Sequence, residues 1–147
     1  MAKQVGLSCE LSYNTGTYAV PVWVEIDLAR DVTMSLEAAE ADASTRASGG
    51  WRETIQSLKD AGLEIEVAND SSDTAFTAIK NAFINSTNME VLILDGPVAT
   101  TGSQGLRMTC SVSAFSRSEP LEELVTVSVT LKPTPNDNAV PEWYTAV

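Results

Sequence analysis

Residues 51–67 read "WRETIQSLKDAGLEIEV", and two periodicities compete within that stretch. Its second half alternates: Leu63, Ile65 and Val67 fall to one side and Glu64 and Glu66 to the other, as in a strand with one buried face. The first half is ambiguous. Trp51, Ile55 and Leu58 match helical spacing and Gly62 suits a helix C-terminus, yet the same residues also read as a strand running through "KDAG" into Leu63.

Outward from there, period-two alternation dominates. In "YAVPVWVEID", Tyr18, Val20, Val22, Val24 and Ile26 share a face opposite Trp23, Glu25 and Asp27. "DVTMSLEA" sets Val32, Met34 and Leu36 against Thr33, Ser35 and Glu37. "LRMTCSVSA" sets Leu106, Met108, Cys110 and Val112 against Arg107, Thr109, Ser111 and Ser113. "VTVSVTLK" sets Val125, Val127, Val129 and Leu131 against Thr126, Ser128, Thr130 and Lys132. "MEVLILDG" is apolar almost throughout, as expected of a strand covered on both faces. One segment departs from the pattern. In "SSDTAFTAIKNAFINST", Phe76, Ile79 and Phe83 form a helical stripe beside Ala75 and Ala82, with Ser71 or Ser72 as the expected N-cap and Asp73 near the positive end of the helix dipole. The expectation is a mainly β chain with one amphipathic helix laid over the sheet.

A chain of 147 residues is one domain's length, enough to bury roughly 70% of the surface its unfolded form exposes. Its apolar fraction of 44% is ordinary for a globular protein and argues against disorder. Charge is the unusual bulk property: nine basic residues against twenty acidic ones, a net charge of −11, and no histidine. Nonspecific nucleic-acid binding depends on Lys and Arg replacing counterions at phosphates, so this surface repels nucleic acid. No apolar run is long enough for a transmembrane helix, and the start lacks the pattern of a secretory signal. Cys9 and Cys110 read as two half-buried thiols, and no Cys-x-x-Cys spacing supports zinc.

Catalytic patterns are missing. Without histidine there is no Ser-His-Asp triad, Cys-His pair or histidine metal site. "GPVATTGSQG" lacks the Gly-Lys-Ser/Thr ending of a phosphate loop. "NDSSD" lacks calcium-loop spacing and reads as a helix start. The Asn-x-Ser/Thr matches at Asn69 and Asn85 have no secretory context. Glu64 and Glu66, about 7 Å apart on one strand face, fall within the carboxyl separation of glycoside hydrolysis, about 5–9.5 Å. Nothing nearby supplies a sugar platform, and repeated Glu on a polar strand face is ordinarily a solvated face. No enzyme activity and no cofactor are expected.

The stretch "ADASTRASGGWRETI" is long for a connector between strands and ends on a large aromatic residue. Long loops in small domains are functional or disordered. The Gly49–Gly50 pair supplies conformational freedom, Trp51 an anchor, and Arg46 a cation suited to an acidic surface. The last fifteen residues, 133–147, hold three prolines and read as an extended arm ending on Trp143 and Tyr144, which favour burial.

In order, "ARDVTMSLEAAEADASTRASGGWRETIQSLKDAGLEIEV", the acidic turn and helix, "MEVLILDG" and "GLRMTCSVSAFSRSEPLEELVTVSVTLKPT" resemble the major tail proteins of long-tailed bacteriophages, from about Trp23 to Thr134. The resemblance implies a two-sheet β-sandwich or barrel-like tail-tube fold with one packed helix. It favours a strand for "WRETIQSL". It implies hexameric rings stacked into a tube through which genomic DNA passes without specific binding. The implied partners are further copies of the chain, a tape-measure protein and a tail-terminator protein; the implied location is the virion tail, after synthesis in the host bacterial cytoplasm, with no membrane role. It makes Ala41–Gly50 the inter-subunit loop, with Asp42, Ser44, Thr45, Arg46, Ser48, Gly49 and Gly50 leading to Trp51. Strand faces including Glu64 and Glu66 would then line the lumen, where like charge lets DNA slide. Two alternatives stand beside it: a tube protein of a contractile injection or secretion system, and a monomeric β-sandwich binding module with a concave apolar pocket.

Overall fold

The computed structural model describes residues 3–137 and 140–147. Its strands are β1 (Glu10–Asn14), β2 (Trp23–Glu25), β3 (Ala29–Asp42), β4 (Thr54–Ala68), β5 (Asn88–Leu94), β6 (Gln104–Ser118), β7 (Thr126–Pro133) and β8 (Glu142–Thr145), with one helix, α1 (Thr74–Ile84), between β4 and β5. The disputed stretch is a strand from Thr54 onward. Its pairing with β3, Asp42 opposite Thr54 through Ala29 opposite Val67, outweighs the helical spacing of three exposed apolar side chains.

All pairings are antiparallel and run in the order β2-β1-β5-β6-β7-β4-β3, with β8 beside the start of β6. The chain is mainly β as expected, but hydrogen bonding joins the strands into one continuous sheet rather than two. The ends of that sheet, β2 and β3, are consecutive in sequence and linked only by Ile26–Leu28. Ile26 N donates to Leu11 O, and Ala68 N donates to Leu28 O. So short a link forces the sheet to curl on itself, which gives the barrel-like form.

The core lies inside the curl. Leu11, Tyr13, Leu63, Ile65, Val67, Val91, Leu106, Met108, Cys110, Val112, Val127, Val129 and Leu131 point inward, every second residue of their strands as the alternation required. Helix α1 packs Ala75, Phe76, Ile79 and Ala82 against this cluster. Its N-cap is Asp73, whose carboxylate accepts from Phe76 N at 3.0 Å, rather than Ser71 or Ser72; Ser72 instead donates to Asp70 and closes the preceding turn. Phe83 is partly exposed but stacks on Phe115, ring centroids 6.2 Å apart. At Gly105 an added Cβ would strike the backbone of Ile93, so only glycine fits where β6 runs between β5 and β8.

Two expected elements differ. The long strand expected in "YAVPVWVEID" shrinks to Trp23–Glu25, because Pro21 fixes φ and lacks an N–H for the ladder. Val20 and Val22 are left exposed in the β1–β2 loop. The C-terminal segment expected to be an extended arm instead returns over Glu142–Thr145 as β8; its positions 138 and 139 lie outside the described residues.

Candidate functional site

Beyond Ala61, β3 and β4 continue as a two-stranded hairpin that leaves the body. Every residue from Thr54 to Asp60 is exposed, including Ile55 and Leu58. At ~3.3 Å per residue these seven positions extend roughly 20 Å. The register slips between Ala38 and Glu40: three residues of β4 span what two of β3 span, a β-bulge beside which Ser57 donates to Ala39 O at 3.2 Å. Strand β3 is also an edge of the sheet, with Val32 and Leu36 exposed along it.

The connection at the tip is 43–53, since Ala41 and Asp42 complete β3. The sequence suggested a flexible loop; the structure shows a hydrogen-bonded one. Ala43 N donates to Glu53 O at 2.9 Å, and Glu53 N donates to Ser44 Oγ at 2.7 Å. Asp42 accepts from Ser44 N at 2.9 Å, and that backbone hydrogen bond, with the Ser44 side chain, holds the Asp42 carboxyl below its usual range. Thr45 and Ser48 cap the single turn Arg46–Ser48 reciprocally. Gly49 and Gly50 then take φ of 65° and 86°, left-handed backbone that suits glycine. Small hydroxyl and glycine residues that looked like flexibility in sequence are the parts of a built turn. It presents Arg46, Arg52 and Trp51, the last 79% exposed.

Glu64 and Glu66 project from the outer face of β4. Glu64 is exposed, whereas Glu66 is half-buried and meets Arg30 at 3.4 Å. Register places Thr33 and Thr130 beside Glu64, and Ser128 beside Glu66, so this face is a band of hydroxyls and carboxylates. Lys132 reaches from β7 to Asp60 at 3.4 Å. Trp143 and Tyr144 sit on β8, far from the tip in the sheet order. Trp143 remains 58% exposed with its Nε1 donating to Gln104 at 3.0 Å, and Tyr144 is half-buried.

Sequence reading missed a buried charge cluster. Arg107, assigned by alternation to a solvated face, is buried: its Nε is hydrogen-bonded to Glu90, its Nη2 donates to Tyr18 O at 2.8 Å, and its guanidinium lies 4.1 Å from the Tyr18 ring centre and 5.2 Å from that of Trp23. Asn14 donates to the other oxygen of Glu90 at 3.4 Å. This cluster pins the β1–β2 loop over β5 and β6. Part of the signal was available: Glu90 is the single charge in β5, an otherwise mostly apolar strand. Cys110 is buried, which pushes its thiol up to about 12, while Cys9 is exposed.

Among the described residues no group of three or more His, Cys, Asp or Glu is placed to hold a metal ion. An open cleft of about 420 Å³ is lined by Asn69, Ser71, Phe76, Lys80, Phe115 and Arg117.

No protein-family profile and no curated protein sequence matches the chain. Its backbone does match solved structures. A chain from the tail of an empty gene transfer agent particle, refined with C6 symmetry, superposes with a TM-score of 0.69 at 14% identity, covering 91% of this chain and 96% of that one. A chain of the SPP1 tail tube gives 0.70 at 12% identity, covering 87% and 74%. A chain of the anti-feeding prophage baseplate gives 0.64 at 6% identity, covering 98% and 97%. The chain thus shares its fold with these chains of the gene transfer agent tail and the SPP1 tail tube.

Proposed function

We propose that the protein is a structural subunit that self-assembles into hexameric rings, stacked into a tail tube through which DNA leaves a virion. One observation carries this reading: a hairpin whose outer β4 residues, Thr54 to Asp60, are all exposed yet end in a hydrogen-bonded turn. A tip built before docking loses little conformational entropy when it docks, and exposed Trp51, Leu58 and Ile55 supply apolar surface for a neighbour. The long exposed edge of β3 supports ring closure, because joining sheets around a ring removes unpaired edges. The C6 symmetry of the gene transfer agent tail supports six copies per ring. Asp42, Ser44, Thr45, Arg46, Ser48, Gly49, Gly50 and Trp51 form the inter-subunit element in this proposal.

The hydroxyl and carboxylate band around Glu64 and Glu66 suits a lumen wall, since it offers DNA no counterion-releasing contacts. A tape-measure protein inside the tube and a terminator at its end would be the other partners. The likeness to an anti-feeding prophage chain favours a second setting for the same subunit, the tube of a contractile machine.

Electron microscopy of the purified protein across a concentration series tests the proposal. Annular and tubular particles are expected; particles that stay at 15.7 kDa in every buffer would overturn it. Glu64→Lys with Glu66→Lys is expected to leave tubes intact and slow DNA passage, and unchanged passage would remove these residues from the lumen.

A further inference from the structure

The two ends of the long strands expose different groups that find no partner of opposite charge among the described residues. The connection at the hairpin tip, 43–53, contains Arg46 and Arg52 and one acid, Glu53, and follows Asp42 at the end of β3. Neither arginine is paired within the chain: the four ion pairs among the described residues use Arg30, Arg107, Arg117 and Lys132. Strand β4 leads from this tip to Ala68, which pairs with Thr126 at the start of β7; Thr126 in turn pairs with Ser118 at the end of β6. The β6–β7 turn, 119–125, therefore caps the opposite end of the sheet. The whole 15-residue β4 separates the two, on the order of 45–50 Å at ~3.3 Å per residue.

That turn reads "EPLEELV". Glu119 pairs with Arg117 at 3.5 Å, but Glu122 and Glu123 have no cationic partner among the described residues. Leu121 is 99% exposed and Leu124 54%. The tip offers an exposed aromatic residue with two unpaired cations; the turn offers exposed aliphatics with two unpaired carboxylates. Complementary patches at opposite ends of one subunit define a head-to-tail contact, and a head-to-tail contact repeats along an axis.

We propose that the 119–125 turn is the receptor for the hairpin tip of a second copy, with Trp51 covering Leu121 and Leu124 while Arg46 and Arg52 meet Glu122 and Glu123. This deepens the assembly reading above and rests on it: it assigns both sides of the axial joint, where the fold alone marks only the projecting side. Charges at the rim of an apolar contact set register and exclude wrong partners, and their screening makes stacking weaken as salt rises.

The test is a charge swap read by sedimentation velocity and by tube lengths on grids. Arg46→Glu with Arg52→Glu, and separately Glu122→Arg with Glu123→Arg, are each expected to shorten tubes about tenfold or more at unchanged melting temperature. The four-site chain is expected to regain wild-type length. Failure of that rescue, or full-length tubes from the turn variant while the tip variant cannot stack, would overturn the pairing while leaving the tube intact as a function. A wild-type chain that never assembles would instead overturn the reading beneath it, and the pairing with it. If the swapped chain melts early, Trp51→Ala and Leu121→Ser carry the test without charge change. Each is expected to shorten tubes and the double variant to be no worse than either single one; additive losses would place the two residues in separate contacts.

Discussion

Strand β4 has two halves that pair with the same neighbour, β3, but they do different work. From Ala61 to Ala68 its alternate side chains are buried, Leu63 completely, against β7 and the helix-covered core. From Thr54 to Asp60 nothing is buried at all. The inner half holds the subunit together; the outer half contributes almost nothing to that and is free to be specified by what it touches elsewhere. Folding and assembly are thus assigned to separate stretches of one strand.

Substitutions should divide along that boundary. The largest effect is expected in the body at the buried charge cluster: Arg107→Met strands Glu90 in an apolar setting and should cost ~3–5 kcal/mol, as read by urea denaturation. Removing both charges with Glu90→Gln and Arg107→Met should recover much of it. Leu63→Ala should cost ~2–5 kcal/mol by transfer and cavity terms, whereas Leu58→Ala, five residues away on the hairpin, should stay within ~0.5 kcal/mol. Equal losses from these two leucines would erase the distinction between the halves. Thiol labelling draws the same line in the body: Cys9 should react at once, and Cys110, buried and held near 12, only on unfolding.

The smallest effect belongs to the tip. The Asp42 carboxylate is favoured in the folded turn, so its contribution is complete above the ordinary carboxylate range and is lost as pH falls through its lowered value. The protection of the Ser44 amide, taken relative to its intrinsic exchange rate at each pH, should fall on acidification through that window while body amides keep theirs.

Much of this was legible in the sequence. Alternation placed the inward faces of β4, β6 and β7 correctly because those strands are covered by apolar partners, the continuous apolar run gave β5, and the helical stripe gave α1. Three things were hidden, each for a physical reason. Trp51, Ile55 and Leu58 imitated a helix because a strand that buries neither face is under no pressure to alternate. Glycine and hydroxyl residues at the tip signal turns and freedom alike, and only their hydrogen bonds distinguish the two. Arg107 looked solvated because alternation says which side a residue takes, not whether a loop 89 residues earlier folds over it. The receptor turn at 119–125 gave no periodic signal; its place opposite the hairpin emerges only from strand pairing.

The bulge between Ala38 and Glu40 has a geometric consequence. Side chains change sides at every step along a strand, so one surplus residue in β4 inverts the facing of everything beyond it. Ile55 lies an even number of positions from Leu63, yet it pairs with Ala41, on the opposite side from Met34, which pairs with Leu63. Deleting Ser57 would remove the surplus residue yet leave Ile55 opposite Ala41 on the same side, so what the insertion adds is a local bend and extra twist, which set the direction in which the outer hairpin leaves the body.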